Sequence, residues 1–414
     1  MLAETGLQNI ELRCADLLQW QPNDSKFDFI ICHGVFSWVP DTVKQRILEL
    51  CRQCLARNGI ACVSYAAYPG SKQDEALRDL LRVHTEAFPD MAQKIASAQT
   101  ALGFLERAYS ALKTPDAMSW RSHVRSLKAK APNFLFHDDL SSERDPCYLL
   151  QFADWAADHQ LQYVGDSDPR RMFFENLPAE VATELAGLKL NRLLTEQFLD
   201  FIANRRFRVS LLTHGESAMS LALDAGAVRD LCLSTTLRAD PKPRKSKGAK
   251  PGEAIFRTAF GGSTRARSIP LVALLQALVK NAPARMSFAK ALAAAEAGAR
   301  RAFTDSEIQR LCQDILSLYA RGQVELWALP LSIPVNVPER PHLSTLNRLL
   351  AKNRSLLASA FHLQVHLNES ERQLAMLSDG TRDVKQLCTS EPGRALSASC
   401  VQVLRGWTAI ACLT

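Results

Sequence analysis

The first seventy residues set short apolar runs around one helical stretch. IELRCADLL (10–18) alternates in polarity as a strand does and closes on Asp16 and two leucines. FDFIICHG (27–34) is a continuous apolar run of strand length, suited to a sheet covered on both faces. TVKQRILELCRQCLARNG (42–59) repeats apolar residues at helical spacing (Val43, Ile47, Leu48, Leu50, Leu55) and meets a helix stop at Asn58-Gly59. IACVSYAAYPG (60–70) then reads as a β-branched and aromatic strand. Strand, helix and strand joined by tight turns form a βαβ unit, which requires a parallel sheet.

From 71 to about 140 the pattern is helical, as in DEALRDLLRVHTEAF and KIASAQTALGFLERAYSALK. An insertion of that length is a lid or subdomain rather than a loop. The α/β pattern resumes with CYLLQFADWAADHQ as helix, LQYVGDSD as strand, LNRLLTEQFLDFIANRR as helix and FRVSLLTH as strand. Three helical segments follow at 269–283, 287–302 and 305–323, then a strand, VELWALPL: the skeleton of a winged-helix unit. The last block predicts a helix over LNRLLAKNRSLLASA, a strand at FHLQVHL, and turn plus helix at SDGTRDVKQL. No period emerges from EPGRALSASCVQVLRGWTAIACLT, so a poorly ordered end is expected there. The expected divisions are 1–75, a partial α/β core; 76–145, the helical insertion; 146–220, the return to the sheet; 221–252, a connection; and 253–414, a mostly α region with winged-helix-like parts.

Composition changes this picture little. With 47% hydrophobic and 22% charged residues the chain has an ordinary globular make-up, and a net charge of +7 over 414 residues demands no acidic partner. The local exception is PKPRKSKGAKPG (241–252), five cations among Pro and Gly, read as a solvated linker or as an acidic-ligand contact. Eleven cysteines, most inside apolar stretches, favour a reducing compartment. No run reaches membrane-spanning length and the N-terminus lacks a basic, apolar leader, so the expectation is a cytoplasmic protein with no membrane role. Cys51 and Cys54 have CxxC spacing without a second pair, and His362 and His366 lack the glutamate of HExxH; neither supports a metal. Arg205, Arg206 and Arg208 suit either an anion contact or the polar exit of a helix.

In parallel sheets ligands bind beyond the carboxyl ends of the strands. Asp16, His33-Gly34 and the 65–70 segment occupy such ends. A strand-end Asp serves either an adenine amino group or the N-cap of a turn; His33 serves either that edge or the core. Taken together, ADLL, FDFIICHGVFSWVP and LARNGIACVSYAAYPG resemble the back half of a class I S-adenosylmethionine-dependent methyltransferase. More narrowly they resemble the bacterial proteins that carry a methyltransferase regulatory domain, among them the rickettsial-type protein-lysine methyltransferases. HTEAFPD, FLFHDDL, FADWAADHQLQYVGDSD and FLDFIANRRFRVSLLTH are similar to the regulatory region and the strands after it. The resemblance implies a Rossmann-like sheet and S-adenosylmethionine held by Asp16, Leu17, His33 and Gly34. It also implies an acceptor entrance bordered by Phe36 and Trp38, with Tyr65 and Tyr68 at the transfer site, and lysine side chains of a protein as substrate.

A class I methyltransferase opens with a strand, a Gly-rich turn and a second strand ending in an acid that holds the ribose. Residues 1–9 cannot supply these, and the lone Gly261-Gly262 reads as a turn. The expectation is an N-terminally truncated core: a sheet of the family's strands 4, 5, 7 and 6, with 10–18 displaced or paired against strand 4, and impaired cofactor binding. Two other classes stay open: a non-catalytic, partner-binding or regulatory relative, and a nucleic-acid binder, against which stands the lack of charge on a recognition helix.

Overall fold

The computed structural model describes residues 2–219, 224–239, 253–258, 261–334, 336–410 and 412–413. It divides into two units, Cys14–Leu221 and Met1–Arg13 with Ala222–Thr414. In the first unit, strand β1 (Phe27–Cys32) leads through helix α1 (Asp41–Cys54) to β2 (Leu55–Ala66). Helices α2 (Ser71–Thr85), α3 (Met91–Ala111) and α4 (Pro115–Lys128) form the insertion. Helix α5 (Leu149–Asp158), β3 (Leu161–Asp166), α6 (Arg192–Ile202) and β4 (Phe207–His214) complete the unit. The sheet order is β1-β2-β4-β3, with β1 parallel to β2 and β4 antiparallel to both its neighbours. This is the 4-5-7-6 arrangement implied by the resemblance, a Rossmann-like methyltransferase sheet.

Alternation decides which side of this sheet is dry. Ala61, Val63 and Tyr65 of β2 and Leu212 of β4 project to one face. There they meet Ile47, Leu48 and Cys51 of α1 and Phe152 and Ala156 of α5. Each fully buried large side chain contributes about 1.5–3 kcal/mol. The opposite face is bare at β1, where Phe29 is 74% and Ile31 73% exposed, so the expectation of a strand covered on both faces fails there. The insertion has its own core, built from Leu77, Leu81, Leu102, Val124 and Leu127. Asp90 and Thr114 cap its second and third helices through their side chains.

Two boundaries near the start differ from the sequence expectation. No strand forms over 10–18: β1 pairs with β2 alone, and Ile10 and Leu12 are exposed. Helix α1 stops at Cys54 rather than at Asn58-Gly59, because Leu55 pairs with Phe27 and is buried in β2. A register shift between Phe27 and Phe29 absorbs the extra residues of β2.

In the second unit, β5 (Cys232–Thr235), β6 (Ala254–Arg257) and β7 (Ser263–Ala266) precede α7 (Ile269–Asn281), β8 (Met286–Ser287), α8 (Phe288–Ala299), α9 (Asp305–Ala320) and β9 (Val324–Trp327). Three helices followed by a strand appear as expected, with the strands ordered β9-β5-β8. Gly261 takes φ +83° in the turn between β6 and β7. The basic segment 241–252 lies outside the described residues. Helix α10 (Thr345–Arg354) ends earlier than expected, at a left-handed Ser355, and β10 (Leu356–Ala358) pairs with β11 (Gln364–His366). His362 sits in a turn at φ +58°, so it shares no strand face with His366. The final stretch is a correction: helices Glu391–Leu396 and Cys400–Ala409 form, and Cys400, Leu404 and Trp407 are buried. Those three stand at i, i+4 and i+7, a helical period cut short by the loops around it. Among the described residues no helix is long and apolar enough to cross a membrane.

The arginine cluster also departs from expectation. Arg208 is fully buried and Arg205 nearly so; neither is a solvated helix exit. Arg208 grips Asp200 through two hydrogen bonds (2.7 and 2.9 Å) and donates to the Tyr163 hydroxyl (3.0 Å), which donates to Glu196 (2.6 Å). Arg205 reaches Asp166 (3.0 Å) and Asp200 (3.1 Å). Removing one member leaves buried charge uncompensated. Arg208→Met is therefore expected to destabilise this unit by about 3–5 kcal/mol in urea unfolding, whereas Arg206→Met, at a half-exposed position, costs less.

Candidate functional site

The carboxyl ends of β1 and β2 lie side by side, and hydroxyls on each bind the backbone of the other. The Gly34 N–H donates to Ser64 Oγ (2.8 Å), and the Ala66 N–H donates to Ser37 Oγ (2.8 Å). Gly34 takes φ +72°, a conformation that a side chain makes costly. These bonds fix the turn that carries His33, Val35 and Trp38. His33 projects outward, exposed, its ring edge-on to Phe207 of β4 at 5.8 Å. It is not a core histidine.

Beside this turn lies an apolar cleft of ≈330 Å³, walled by Leu17, Trp20, Ile31, Cys32, His33 and Val35 and floored by α1. Asp16 makes a turn there: its carboxylate accepts from the Leu18 N–H (2.9 Å) and its carbonyl from the Trp20 N–H (2.8 Å). That is the capping role the sequence left open for it. Arg46 of α1 holds the turn in place by donating to the carbonyls of Leu17 (3.3 Å) and Trp20 (2.7 Å). Nothing in residue spacing announces Arg46, Ser37 or Ser64, since each acts on backbone far away in sequence. Burial pushes the Cys51 thiol at the cleft floor up to about 12, so it stays protonated and unreactive.

Past β2 the chain turns at Tyr68. Gly70 is pressed against the 204–205 backbone, where a Cβ would lie 2.4 Å from the Asn204 carbonyl oxygen. The Tyr68 hydroxyl donates to Glu75, and burial, then that bond, raises its pKa well above the usual phenol value. Lys72 places its ammonium 3.8 Å from the Tyr68 ring centroid. Tyr148 packs against Tyr68 (5.1 Å) and stacks on Phe201 (5.8 Å). Trp38 is partly exposed, 4.8 Å from the His137 ring, with Arg78 and Arg144 near its face.

Two expected site residues fall elsewhere. Tyr65 is 1% exposed, stacked on Phe152 (4.3 Å) with its hydroxyl on Ser210 (3.0 Å). Phe36, also 1% exposed, packs against Tyr65, Phe152 and Trp155. Alternation sends Tyr65 to the dry face, and the turn after Gly34 folds Phe36 under it. Both support the edge from below, inside the core. Leu17 and His33 do come together at the cleft, Gly34 lies between the lining residues His33 and Val35 without itself lining it, and Tyr68 and Trp38 sit farther along the same edge.

The edge is tied to the insertion by Asp74 of α2, which faces His123 (2.8 Å), Arg144 (3.3 Å) and Arg206 (3.6 Å). Burial disfavours the Asp74 charge, but the His123 bond and the two guanidinium charges outweigh it, so its pKa lies below the ordinary value. A carboxyl with a lowered folded pKa adds stability above its unfolded value, about 3.9, and loses it as pH falls through the folded value. Asp74→Asn should be less stable than the unsubstituted chain at pH 7, and the difference should shrink as pH falls through the folded value, measured by urea unfolding. Gly70→Ala should cost about 1–3 kcal/mol by overpacking in the same assay.

Comparison with known proteins agrees with the fold. Residues 2–63 match a methyltransferase domain, and residues 131–214 match a predicted methyltransferase regulatory domain. The second match begins within the helical insertion and runs through β3 and β4, so it is not the insertion alone. An uncharacterized protein of Rickettsia prowazekii, RP789, is 36% identical over 211 residues, 51% of this chain and 38% of that protein. A second, RP028, is 29% identical over 155 residues, 37% of this chain and 62% of its own length. The chain thus matches less than two thirds of either curated relative. The solved structure of PKMT2 from Rickettsia typhi, also determined in complex with AdoHcy, superposes with a TM-score of 0.83 at 22% identity, covering 100% of this chain and 86% of that one.

Proposed function

We propose, from the premise that this chain has a class I methyltransferase fold and carries a methyltransferase regulatory domain, that it binds S-adenosylmethionine and methylates lysine side chains of a protein. One observation carries the reading: the cleft of Leu17, His33 and Val35 and the aromatic cluster around Tyr68 share the carboxyl edge of β1 and β2. That edge is where parallel sheets hold ligands.

The cleft suits a flat, apolar base: leucine, valine and isoleucine walls with the His33 ring at the rim. Bound there, the cofactor would supply an electrophilic methyl group on a sulfonium. The chain's own task is capture and placement of an amine. Tyr68 already holds the Lys72 ammonium against its ring, so the same face has the chemistry to receive an acceptor lysine. The acceptor's proton leaves to solvent before transfer. Orientation and exclusion of water then carry the barrier reduction, with no acid–base triad required.

The cleft supports only weak cofactor binding. Its lining contains no carboxylate for ribose and no glycine-rich turn, and the paired glycines 261 and 262 belong to the other unit. A partner-binding subunit without turnover is the second reading, favoured by the bare Phe29 and Ile31 at the sheet edge.

Titration calorimetry with S-adenosylhomocysteine should give a Kd of about 0.1 mM or weaker, worsened at least tenfold by Val35→Glu. Methyl transfer to a lysine-rich protein should fall about fivefold or more in Tyr68→Ala, from loss of the cation-binding face. A flat calorimetric trace at high protein concentration would sink the enzyme reading in favour of the subunit.

A further inference from the structure

The second unit contains a cavity that the methyltransferase reading does not use. It measures ≈870 Å³ and lies between strand β7 with the start of α7 and the outer face of α9. Arg265, Arg267, Arg310 and Arg321 line it against a single carboxyl, that of Asp314. Arg265 stands 3.9 Å from Glu253. The side chains of Arg267, Arg310 and Arg321 make no hydrogen bond or ion pair among the described residues. Three forked cations converge on one concavity whose single lining carboxyl, Asp314, feels the charge of Arg310 and is itself disfavoured by burial, so cations outnumber acids and suit an anion with several oxygens, as a phosphate presents.

A second observation is independent of charge. Thr264, in the lining, is 8% exposed, and its buried hydroxyl has no hydrogen-bond partner among the described residues. The side-chain carbonyl oxygen of Gln323, also in the lining, is buried and equally unpartnered. Buried polar groups are paired in native proteins unless something else fills the site. A phosphate oxygen can accept from Thr264, whereas the Gln323 oxygen needs a donor, which a bare phosphate supplies only through a P–OH. A phosphate ester that also carries a hydroxyl or amino group satisfies both.

We propose that this cavity is a binding site for a small phosphate ester of nucleotide size. The phosphate meets Arg267, Arg310 and Arg321, and the hydroxyl or amino end reaches Thr264 and Gln323. The volume lies in the range of small-molecule sites, and the lining has no aromatic residue on which the bases of a nucleic-acid strand would stack.

The test is calorimetric titration of the full chain with 5′-AMP, inorganic phosphate and adenosine. AMP should bind with a Kd of about 0.1 mM or tighter, and inorganic phosphate more weakly. Inorganic phosphate should displace AMP. The double variant Arg310→Ala/Arg321→Ala, whose sites are exposed, should weaken AMP at least about tenfold and leave its circular dichroism unchanged. Three results would each overturn the proposal: no AMP binding by the unsubstituted chain, adenosine binding as tight as AMP, or AMP binding untouched by both the double variant and phosphate competition. Much tighter, steeply salt-dependent binding of a single-stranded oligonucleotide through the same arginines would also overturn it, in favour of a polynucleotide site. Adenosine heat that survives in the double variant belongs to the cleft of the other unit and leaves the phosphate result separable.

Discussion

The candidate site rests on two reciprocal hydroxyl bridges at the end of the parallel pair. Ser64 of β2 accepts the Gly34 N–H, and Ser37, beyond β1, accepts the Ala66 N–H. A strand end leaves such N–H groups without ladder partners, and an unmet buried donor costs about 1–3 kcal/mol. Meeting them with side chains from the neighbouring segment does two things at once. It ends the sheet cleanly, and it sets His33, Val35 and Trp38 at fixed positions along its edge. Everything the edge offers, from the apolar cleft to the aromatic cluster at Tyr68, is placed relative to these bonds.

The rest of the unit keeps that edge rigid from behind and from beside. Behind it, Phe36, Tyr65 and Phe152 fill the dry face. Beside it, the Gly70 turn packs on the 204–205 backbone, and the Arg208–Asp200 network locks α6 to β4. Rigidity suits a reaction whose acceleration comes from placement rather than from proton transfer. The bare face of β1 marks where the support ends: Phe29 and Ile31 have the composition of a covered strand without the cover. The cleft next to it has an apolar wall, and its lining contains no carboxylate.

Much of the fold was legible because the patterns that encode it are local. The period of two in β3 and β4, the continuous run of β1 and the helical spacing of α1 each name their element. The parallel pairing of β1 and β2 follows from the helix between them. The failures are all matters of partnership. Residues 10–18 have a strand's alternation but form no ladder, although β1 keeps a free edge. The first residues of β2 carry helical spacing, but pairing with Phe27 wins. Cys400, Leu404 and Trp407 have a helix period too short to stand out from the loops around it. At the site, His33 and Gly34 were readable from their place at a strand end. Tyr65 and Phe36 were misplaced because identity shows an aromatic but not which face it enters. Arg46, Ser37 and Ser64 gave no signal, since their partners are backbone atoms that only the fold brings near.

The central claim is that the turn at 16–20 and the end of β1 form one wall of the cofactor site. Hydrogen–deuterium exchange on the full chain, with and without saturating S-adenosylhomocysteine, tests it most directly. The account predicts slowed exchange in 17–20, 31–38 and 64–70, with 263–323 unchanged. Protection that spares the first three segments, or none anywhere while calorimetry shows binding, would contradict it.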